Sequence, residues 1–314
     1  MKPVVYAVRA LPGGVPAEVS SRVELRGGAA RPPARETVIA EARGAEVLVV
    51  TYLDTVDAAL LDALPGVRQV SSYGVGLNHL DVRAAAARGV VVTNTPDVVT
   101  DATADLAFAL LLAASRRVCE GDRLIRAGGW REAAPEFFLG REVTGKTLGI
   151  VGFGRIGQAM ARRASGFGMR ILYTSPREVP FPGAARAELD DLLAASDFVS
   201  LHCPLTDATR DLLSRERIAR MKPGAVLVNT SRGPVVDDEA LAEALEQGRL
   251  FAAGLDVFRD EPRVPERLAR LENVVLTPHV GSGTVETRTA MARMVWDEVL
   301  RRATGRPPAH GVVV

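Results

Sequence analysis

The strongest constraint on the fold is a G-x-G-x-x-G pattern that directly follows an apolar run at residues 147–151. Its glycines are Gly152, Gly154 and Gly157. Between a strand and a helix, the first permits a tight turn, the second lets backbone approach a pyrophosphate, and the third allows close helix packing. The helix that starts near Arg155 would present free N–H groups to phosphate. The pattern therefore predicts a dinucleotide site; the alternative is a glycine turn with only a packing role.

Short apolar runs alternate with helical patterns along nearly the whole chain, which favours an α/β fold with parallel sheets. In the first section, the strand-like runs are residues 4–8, 47–51, 68–71 and 90–93. In the second section, they are residues 147–151, 170–174, 198–201, 225–229, 252–257 and 273–277. Six strands with intervening helices match a full dinucleotide-binding domain. We therefore predict two doubly wound parallel-sheet domains.

Several helices have clear sequence boundaries. One pattern covers residues 238–247, with Asp237 as a candidate N-cap and Gly248 as the terminating residue. Others cover 57–64, 81–88 and 285–302, and a further helix starts at Thr100 or Asp101. These helices lie between the runs, as a parallel sheet requires.

Composition narrows the class of protein. The 314 residues are 47% hydrophobic and 25% charged, enough for two globular domains, and the net charge of +1 gives no electrostatic case for nucleic acid or a membrane surface. The start of the chain lacks the apolar core of a signal peptide, and the longest apolar stretch, 106–114, is too short to span a bilayer. Cys119 and Cys203 have no metal or redox spacing. We expect a cytoplasmic protein without a metal site.

The segment after the second strand of the glycine-containing section bears on cofactor choice. An acid about 20 residues beyond the glycines would bind the adenosine ribose 2′-OH, but residues 173–177 contain none. Ser175 and Arg177 could instead hold a 2′-phosphate. We therefore favour NADP over NAD; the alternative is that Arg177 is a solvated loop residue and NAD is used.

Three reactive side chains follow three apolar runs near the end of the sequence: Arg232, Glu261 and His279. Ligands bind beyond the carboxyl ends of parallel strands, so one site could hold all three. A carboxylate beside His279 would orient the ring and favour its protonated form, and the Arg232 fork could hold a substrate carboxylate. The alternatives are a helix-capping carboxylate and a surface arginine. We expect structural roles for His79 and His202 and none for His310.

Residues 137–139 are three adjacent large apolar side chains in a stretch without helical or strand pattern. They need covering. A subunit interface and packing on the chain's own body are both open.

The motifs together resemble the D-isomer-specific 2-hydroxyacid dehydrogenase family, over essentially the whole chain. The resemblance implies a flavodoxin-like substrate domain, residues 1–98 plus 284–314, a Rossmann domain, residues 99–283, and a cleft between them. It implies that Arg232, Glu261 and His279 are catalytic. It also implies that the Val75 and Gly76 amides, with Arg232 and Ser282, bind the substrate. The implied cofactor contacts, beyond the glycines, are Arg155, Ile156, Cys203, Pro204, Thr230 and Asp256.

Within the family, residues 94–104 and His279-Val280-Gly281-Ser282 resemble glyoxylate/hydroxypyruvate reductases. That subgroup often prefers NADPH. The family resemblance also suggests a homodimer, with residues 130–140 as the candidate contact. One departure is Gly283, where alanine is commoner. Alternatives are a phosphoglycerate dehydrogenase, a general 2-hydroxyacid dehydrogenase, and a dinucleotide-sensing corepressor of the same fold. The implied reaction is reduction of a small 2-keto acid by hydride transfer, with His279 donating the proton.

Overall fold

The computed structural model describes residues 2–314. The chain divides into two compact units, Met1–Val99 with Ser282–Val314, and Thr100–Gly281. We call these unit 1 and unit 2. Among the described residues, no helix is both long enough and apolar enough to cross a membrane.

Unit 1 is an α/β unit in which short helices follow most strands. Its strands are β1 (Val4–Arg9), β2 (Glu24–Ala29), β3 (Val47–Thr51), β4 (Gln69–Tyr73) and β5 (Val91–Thr93). Its helices are α1 (Ala17–Ser20), α2 (Arg35–Glu41), α3 (Ala58–Ala63), α4 (Val82–Ala87) and α12 (Val285–Ala303).

The unit 1 sheet is parallel, with the order β2-β1-β3-β4-β5. This is the flavodoxin-like order. Strand β3 is buried along its whole length, because side chains on both faces of a parallel sheet are covered. Helix α12 packs against β4, and the end of the chain returns to the sheet, where Val312 forms an antiparallel bridge with Thr93.

Unit 2 starts with a long helix and continues as a second α/β unit. Its helices are α5 (Thr100–Ser115), α6 (Val118–Arg126), α7 (Arg155–Ser165), α8 (Leu189–Ala195), α9 (Arg215–Arg220), α10 (Asp238–Glu246) and α11 (Glu266–Ala269). Its strands are β6 (Thr147–Val151), β7 (Arg170–Thr174), β8 (Ala184–Arg186), β9 (Phe198–Leu201), β10 (Val226–Asn229), β11 (Ala252–Leu255) and β12 (Val274–Leu276). A short 3₁₀ helix covers Gly233–Val235.

The unit 2 sheet is parallel, with the order β12-β11-β10-β9-β6-β7-β8 among the described residues. The strand order reverses at β6, where the chain runs to β7 on one side and to β9 on the other. This is the Rossmann order with one strand added beyond the sixth. The predicted α/β class and the two parallel sheets are therefore confirmed.

Alternation along the strands divides the unit 2 core between the two faces of its sheet. Leu148 and Ile150 of β6 belong to the apolar cluster that includes α5 and α7 residues. Val151 belongs to the other cluster, with residues of α8 and α10. On that second face, Asp237 accepts a hydrogen bond from the Ala240 N–H and so caps α10, as the sequence predicts.

Two strands were not predicted from the sequence, and both lie at sheet edges. Strand β2 consists of partly or fully exposed residues and contains no apolar run. Strand β8 is three residues long and brings the second sheet to seven strands within residues 2–314, where six were predicted. Edge strands bury less side-chain surface, so the apolar pattern that reveals central strands is missing.

Candidate active site

The carboxyl ends of five unit 2 strands lie in one register line. Direct pairing connects Val151 to Leu201, Leu201 to Asn229, Asn229 to Leu255 and Leu255 to Leu276. The residues that follow these positions therefore leave the same edge of the sheet. They are Gly152, His202, Thr230, Asp256 and Thr277. Five predicted site segments thus start side by side.

The glycine turn packs against the loop after β9. Gly152 has φ +91°, and a Cβ there would lie 2.5 Å from the Cys203 amide nitrogen, so only glycine fits. A Cβ at Gly157 would collide with the Gly152 carbonyl oxygen, whereas a Cβ at Gly154 would enter open space. Gly154 precedes the first helical residue of α7 and supplies no side-chain cap. The turn is therefore closely packed at Gly152 and Gly157, and it leaves open space at Gly154, where a phosphate would approach.

His202 and Cys203 lie behind this turn. Burial lowers the pKa of His202 to about 4, and its Nε2 lies 2.8 Å from the Ser200 hydroxyl. Burial raises the pKa of the Cys203 thiol to about 11. Both side chains are therefore uncharged near neutral pH, which fits the predicted structural role of His202.

The segment after β7 contains the predicted discriminator residues. The Ser175 hydroxyl donates to the Arg177 carbonyl oxygen at 2.6 Å, and Arg177 is exposed. Arg186 of β8 donates from its guanidinium to the Ser175 carbonyl oxygen at 3.1 Å. Arg186 was not among the predicted site residues, because β8 itself was not recognised. Hydrogen bonds thus connect Ser175 with both Arg177 and Arg186.

The loop after β10 contains Thr230 and Arg232. The Thr230 hydroxyl oxygen is buried without a hydrogen-bond partner. Asn229 donates from its side-chain amide to the Arg232 carbonyl oxygen at 3.0 Å and thereby fixes the backbone that carries the guanidinium. A Cβ on Gly233 would collide with the Phe258 backbone, so this glycine lets the Arg232 loop approach the loop that carries Glu261.

His279 and Glu261 are in direct contact. The His279 Nδ1 lies 2.5 Å from Glu261 Oε2, with about a fifth of each side chain exposed. Burial acts to raise the pKa of Glu261, but the hydrogen bonds with His279 and the Phe258 N–H and the charges of His279 and Arg232 outweigh it and lower that pKa. The carboxylate is therefore ionised near neutral pH and holds the imidazole ring, with Arg232 close enough to contribute.

Asp256 holds the loop that carries His279. Its Oδ1 accepts from the Thr277 hydroxyl at 2.6 Å and the Val280 N–H at 2.8 Å, and its Oδ2 accepts from the Gly281 N–H at 2.8 Å. The His279 N–H donates to the Asp256 carbonyl oxygen, and His279 itself adopts φ +52°. Burial raises the pKa of Asp256 despite these hydrogen bonds. No local sequence pattern indicates this arrangement, because it joins residues more than twenty positions apart.

The other predicted substrate residues belong to unit 1. Val75 and Gly76 follow β4, and their loop is bonded to residues 94 and 95. Ser282 precedes α12 and accepts through its carbonyl oxygen from the Arg288 side chain at 3.2 Å.

The remaining predicted cofactor residues belong to unit 2. Ile156 lies in the first turn of α7 beside Arg155, and Pro204 follows Cys203.

The chain has extensive similarity to known proteins. Residues 108–281 match the family described as D-isomer specific 2-hydroxyacid dehydrogenase, NAD binding domain. The glyoxylate reductase of Thermococcus litoralis is 46% identical over 320 residues, which cover 99% of this chain and 96% of that protein.

Solved structures agree with this result. A protein from Thermus thermophilus superposes with a TM-score of 0.92 at 44% identity, covering 99% of this chain and 100% of that chain. An NADPH-dependent glyoxylate/hydroxypyruvate reductase from Sinorhizobium meliloti, in complex with NADP and malonate, superposes with a TM-score of 0.86 at 34% identity, covering 100% and 97%. The resemblance seen in the sequence is confirmed: the chain belongs to the D-isomer specific 2-hydroxyacid dehydrogenases, NAD(P)-dependent oxidoreductases with a nicotinamide dinucleotide cofactor.

Proposed function

We propose that this enzyme reduces glyoxylate to glycolate and hydroxypyruvate to D-glycerate. The observation that carries the proposal is the 2.5 Å contact between His279 and Glu261, with Arg232 beside them. An imidazole paired with a carboxylate is suited to proton transfer, and a nearby guanidinium is suited to a 2-keto acid. The name of the Thermococcus litoralis relative supports glyoxylate as a substrate.

In unit 2, Arg232 is the residue that we assign to the substrate carboxylate. In unit 1, we assign the same carboxylate to the backbone amides of Val75 and Gly76, and we assign Ser282 to substrate binding. The planar guanidinium donates two parallel hydrogen bonds to a carboxylate and also polarises the keto oxygen. Asn229 and Gly233 set the position of Arg232, as its contacts indicate. These groups orient the carbonyl carbon and counter the charge that develops on its oxygen.

His279 supplies the proton. Its Nδ1 faces Glu261, so Nε2 is the ring atom that donates to the keto oxygen. Glu261 orients the ring and balances its charge, and its lowered pKa keeps it ionised for that purpose. Asp256 keeps the loop in place through the hydrogen bonds at Thr277, Val280 and Gly281.

The residues at the strand ends fit the cofactor. Open space over Gly154 and the uncapped start of α7 suit a pyrophosphate, and the unpartnered Thr230 hydroxyl suits a polar group of the nicotinamide half. When bound, the cofactor supplies the hydride. The residues that would hold it are Gly152, Gly154, Arg155, Ile156, Gly157, Cys203, Pro204, Thr230 and Asp256.

We propose a preference for NADP over NAD. Ser175, Arg177 and Arg186 lie together, and no carboxylate among residues 173–177 competes for the ribose. Guanidinium groups bind phosphate through charge-assisted hydrogen bonds. The NADP complex of the Sinorhizobium meliloti structure supports this preference.

We further propose a homodimer that covers an apolar face of unit 2. Phe138 packs on its own chain, with the Arg117 guanidinium 4.0 Å from its ring centre. Five other large apolar side chains between residues 118 and 139 are exposed: Val118, Ile125, Trp130, Phe137 and Leu139. Exposed apolar side chains concentrated in one stretch of the chain favour a subunit contact. Of residues 137–139, Phe138 therefore packs on its own chain, and the proposed contact would cover Phe137 and Leu139.

The substrate proposal predicts rapid oxidation of NADPH when glyoxylate or hydroxypyruvate is added to the purified protein. Because the phosphate-free keto acids are the proposed substrates, kcat/KM should exceed that for 3-phosphohydroxypyruvate by about tenfold or more. Initial rates from absorbance at the reduced nicotinamide band measure this. A preference for the phosphorylated acid would indicate a phosphoglycerate dehydrogenase. Cofactor binding without keto-acid turnover would indicate a dinucleotide-sensing protein.

The cofactor proposal predicts that Arg177→Ala weakens NADPH binding but leaves NADH binding unchanged. Losing a hydrogen bond to a charged group costs about 1.5–3 kcal/mol, roughly a 10- to 100-fold rise in Kd. Fluorescence titration of both cofactors measures this. Arg170→Ala, at the opposite end of β7, is the matched control and should change neither Kd. Tighter binding of NADH than NADPH by the parent protein, or equal weakening of both by Arg177→Ala, would contradict the proposal.

The dimer proposal predicts a parent protein of twice the monomer mass in size-exclusion chromatography with light scattering. The double variant Ile125→Asp, Leu139→Asp should be monomeric, because each new carboxylate would be buried in the contact without a partner. Leu53→Asp, which alters an exposed leucine in unit 1, is the matched control and should remain dimeric. A monomeric parent, or a dimer that tolerates both substitutions, would exclude this face.

A further inference from the structure

The loop that carries Val75 and Gly76 is bonded to the segment after β5. The Thr95 N–H donates to the Gly74 carbonyl oxygen at 3.0 Å. The Asn94 side-chain amide donates to the Val75 carbonyl oxygen at 2.8 Å. Two consecutive carbonyl groups of the loop are thus held by two consecutive residues.

These two bonds determine where the loop amides point. A trans peptide is planar, with its C=O and the following N–H pointing in opposite directions. Holding the Gly74 carbonyl therefore directs the Val75 N–H, and holding the Val75 carbonyl directs the Gly76 N–H. Those are the two amides that the proposed function assigns to the substrate carboxylate. Thr95 and Asn94 thus bind the carbonyl side of the two peptide groups, on the side opposite to the Val75 and Gly76 N–H groups.

The end of the chain holds this segment in turn. The Asn94 N–H donates to the Gly311 carbonyl oxygen at 3.0 Å, and the Val313 N–H donates to the Val92 carbonyl oxygen at 2.9 Å. Gly311 has φ +52°, and a Cβ there would lie 2.5 Å from the Asn94 carbonyl oxygen and would collide with its side-chain oxygen. Only glycine permits so close an approach to Asn94.

Helix α12 anchors the terminal segment. The Glu298 side chain is 1% exposed, and its Oε1 accepts from the Ala309 N–H at 3.0 Å and the His310 N–H at 2.7 Å. The His310 Nε2 lies 3.0 Å from Asp297 Oδ2. The terminal segment is therefore tied to the helix just before it reaches Asn94, which gives His310 a structural role that was not expected from the sequence.

We propose that Asn94 is a positioning residue for substrate binding, and that residues 309–313 brace it. Asn94 acts by aiming the Gly76 amide at the substrate carboxylate, and Gly311 keeps Asn94 in place. This inference rests on the proposed function, because it assumes that the loop amides bind a carboxylate. It extends the substrate site to a part of the chain more than two hundred residues from the loop.

The first test is Asn94→Ala, compared with the parent protein. The KM for glyoxylate and the Kd for oxalate in the presence of NADPH should rise by about tenfold, as expected for a misdirected hydrogen bond to a charged group. The kcat should change much less, and the Kd for NADPH alone should not change, since Asn94 lies in unit 1. A general folding defect would instead lower the active fraction and kcat while leaving KM unchanged.

The second test compares two glycines that follow α12, Gly305 and Gly311, both of which have a positive φ. Gly311→Ala should weaken oxalate binding, because its Cβ would displace Asn94. Gly305→Ala has the same kind of strain at φ +68°, but its Cβ meets no atom within 4 Å, so oxalate binding should remain at the parent value. Equal effects of the two, or unchanged oxalate binding in Asn94→Ala, would overturn the inference. A parent protein that binds oxalate but does not reduce glyoxylate would contradict the proposed function alone, since the oxalate Kd still tests Asn94.

Discussion

The in-register parallel pairing of five strands in unit 2 is the constraint on which the site depends. Because Val151, Leu201, Asn229, Leu255 and Leu276 are paired in one line, the segments that follow them leave one edge together. Residues far apart in sequence thereby become neighbours without any long irregular connection. A shift of one residue in any pair would move every side chain of that strand to the opposite face of the sheet and displace its functional side chain. The same strand pairing therefore determines both the stability of the sheet and the geometry of the site.

Two carboxylates beyond this edge have different tasks. Asp256 is almost wholly buried and bonds the loop of residues 277–281 through both oxygens, so it sets the backbone from which His279 projects. Glu261 is partly exposed and contacts the ring itself. Burial raises the pKa of Asp256, whereas hydrogen bonds and neighbouring positive charges outweigh burial at Glu261 and lower its pKa. The charged partner of the imidazole is thus the more solvated of the two acids, while the buried acid accepts the hydrogen bonds that hold the loop.

The sequence predicts those parts of the fold and site that depend on local pattern. Central strands such as β6 and β9 are recognisable because both faces are buried, and Arg232 and Glu261 are recognisable because each follows such a run. His279 is recognisable because it follows the apolar run of the edge strand β12. Edge strands β2 and β8 lack that pattern, so Arg186 was missed along with β8. The roles of Asp256 and Asn94 were missed for another reason. Each depends on hydrogen bonds to backbone groups whose directions are set only when distant segments have folded together.

The most direct test of the account is turnover by His279→Ala with glyoxylate and NADPH, measured beside cofactor binding by fluorescence. If His279 donates the proton, kcat should fall by about 10²- to 10⁴-fold, as for removal of a general acid. The Kd for NADPH should stay within about twofold of the parent value, because the imidazole acts on the substrate and a twofold change in Kd is a small change in binding free energy. Turnover within a few-fold of the parent would contradict the central claim and require another proton donor.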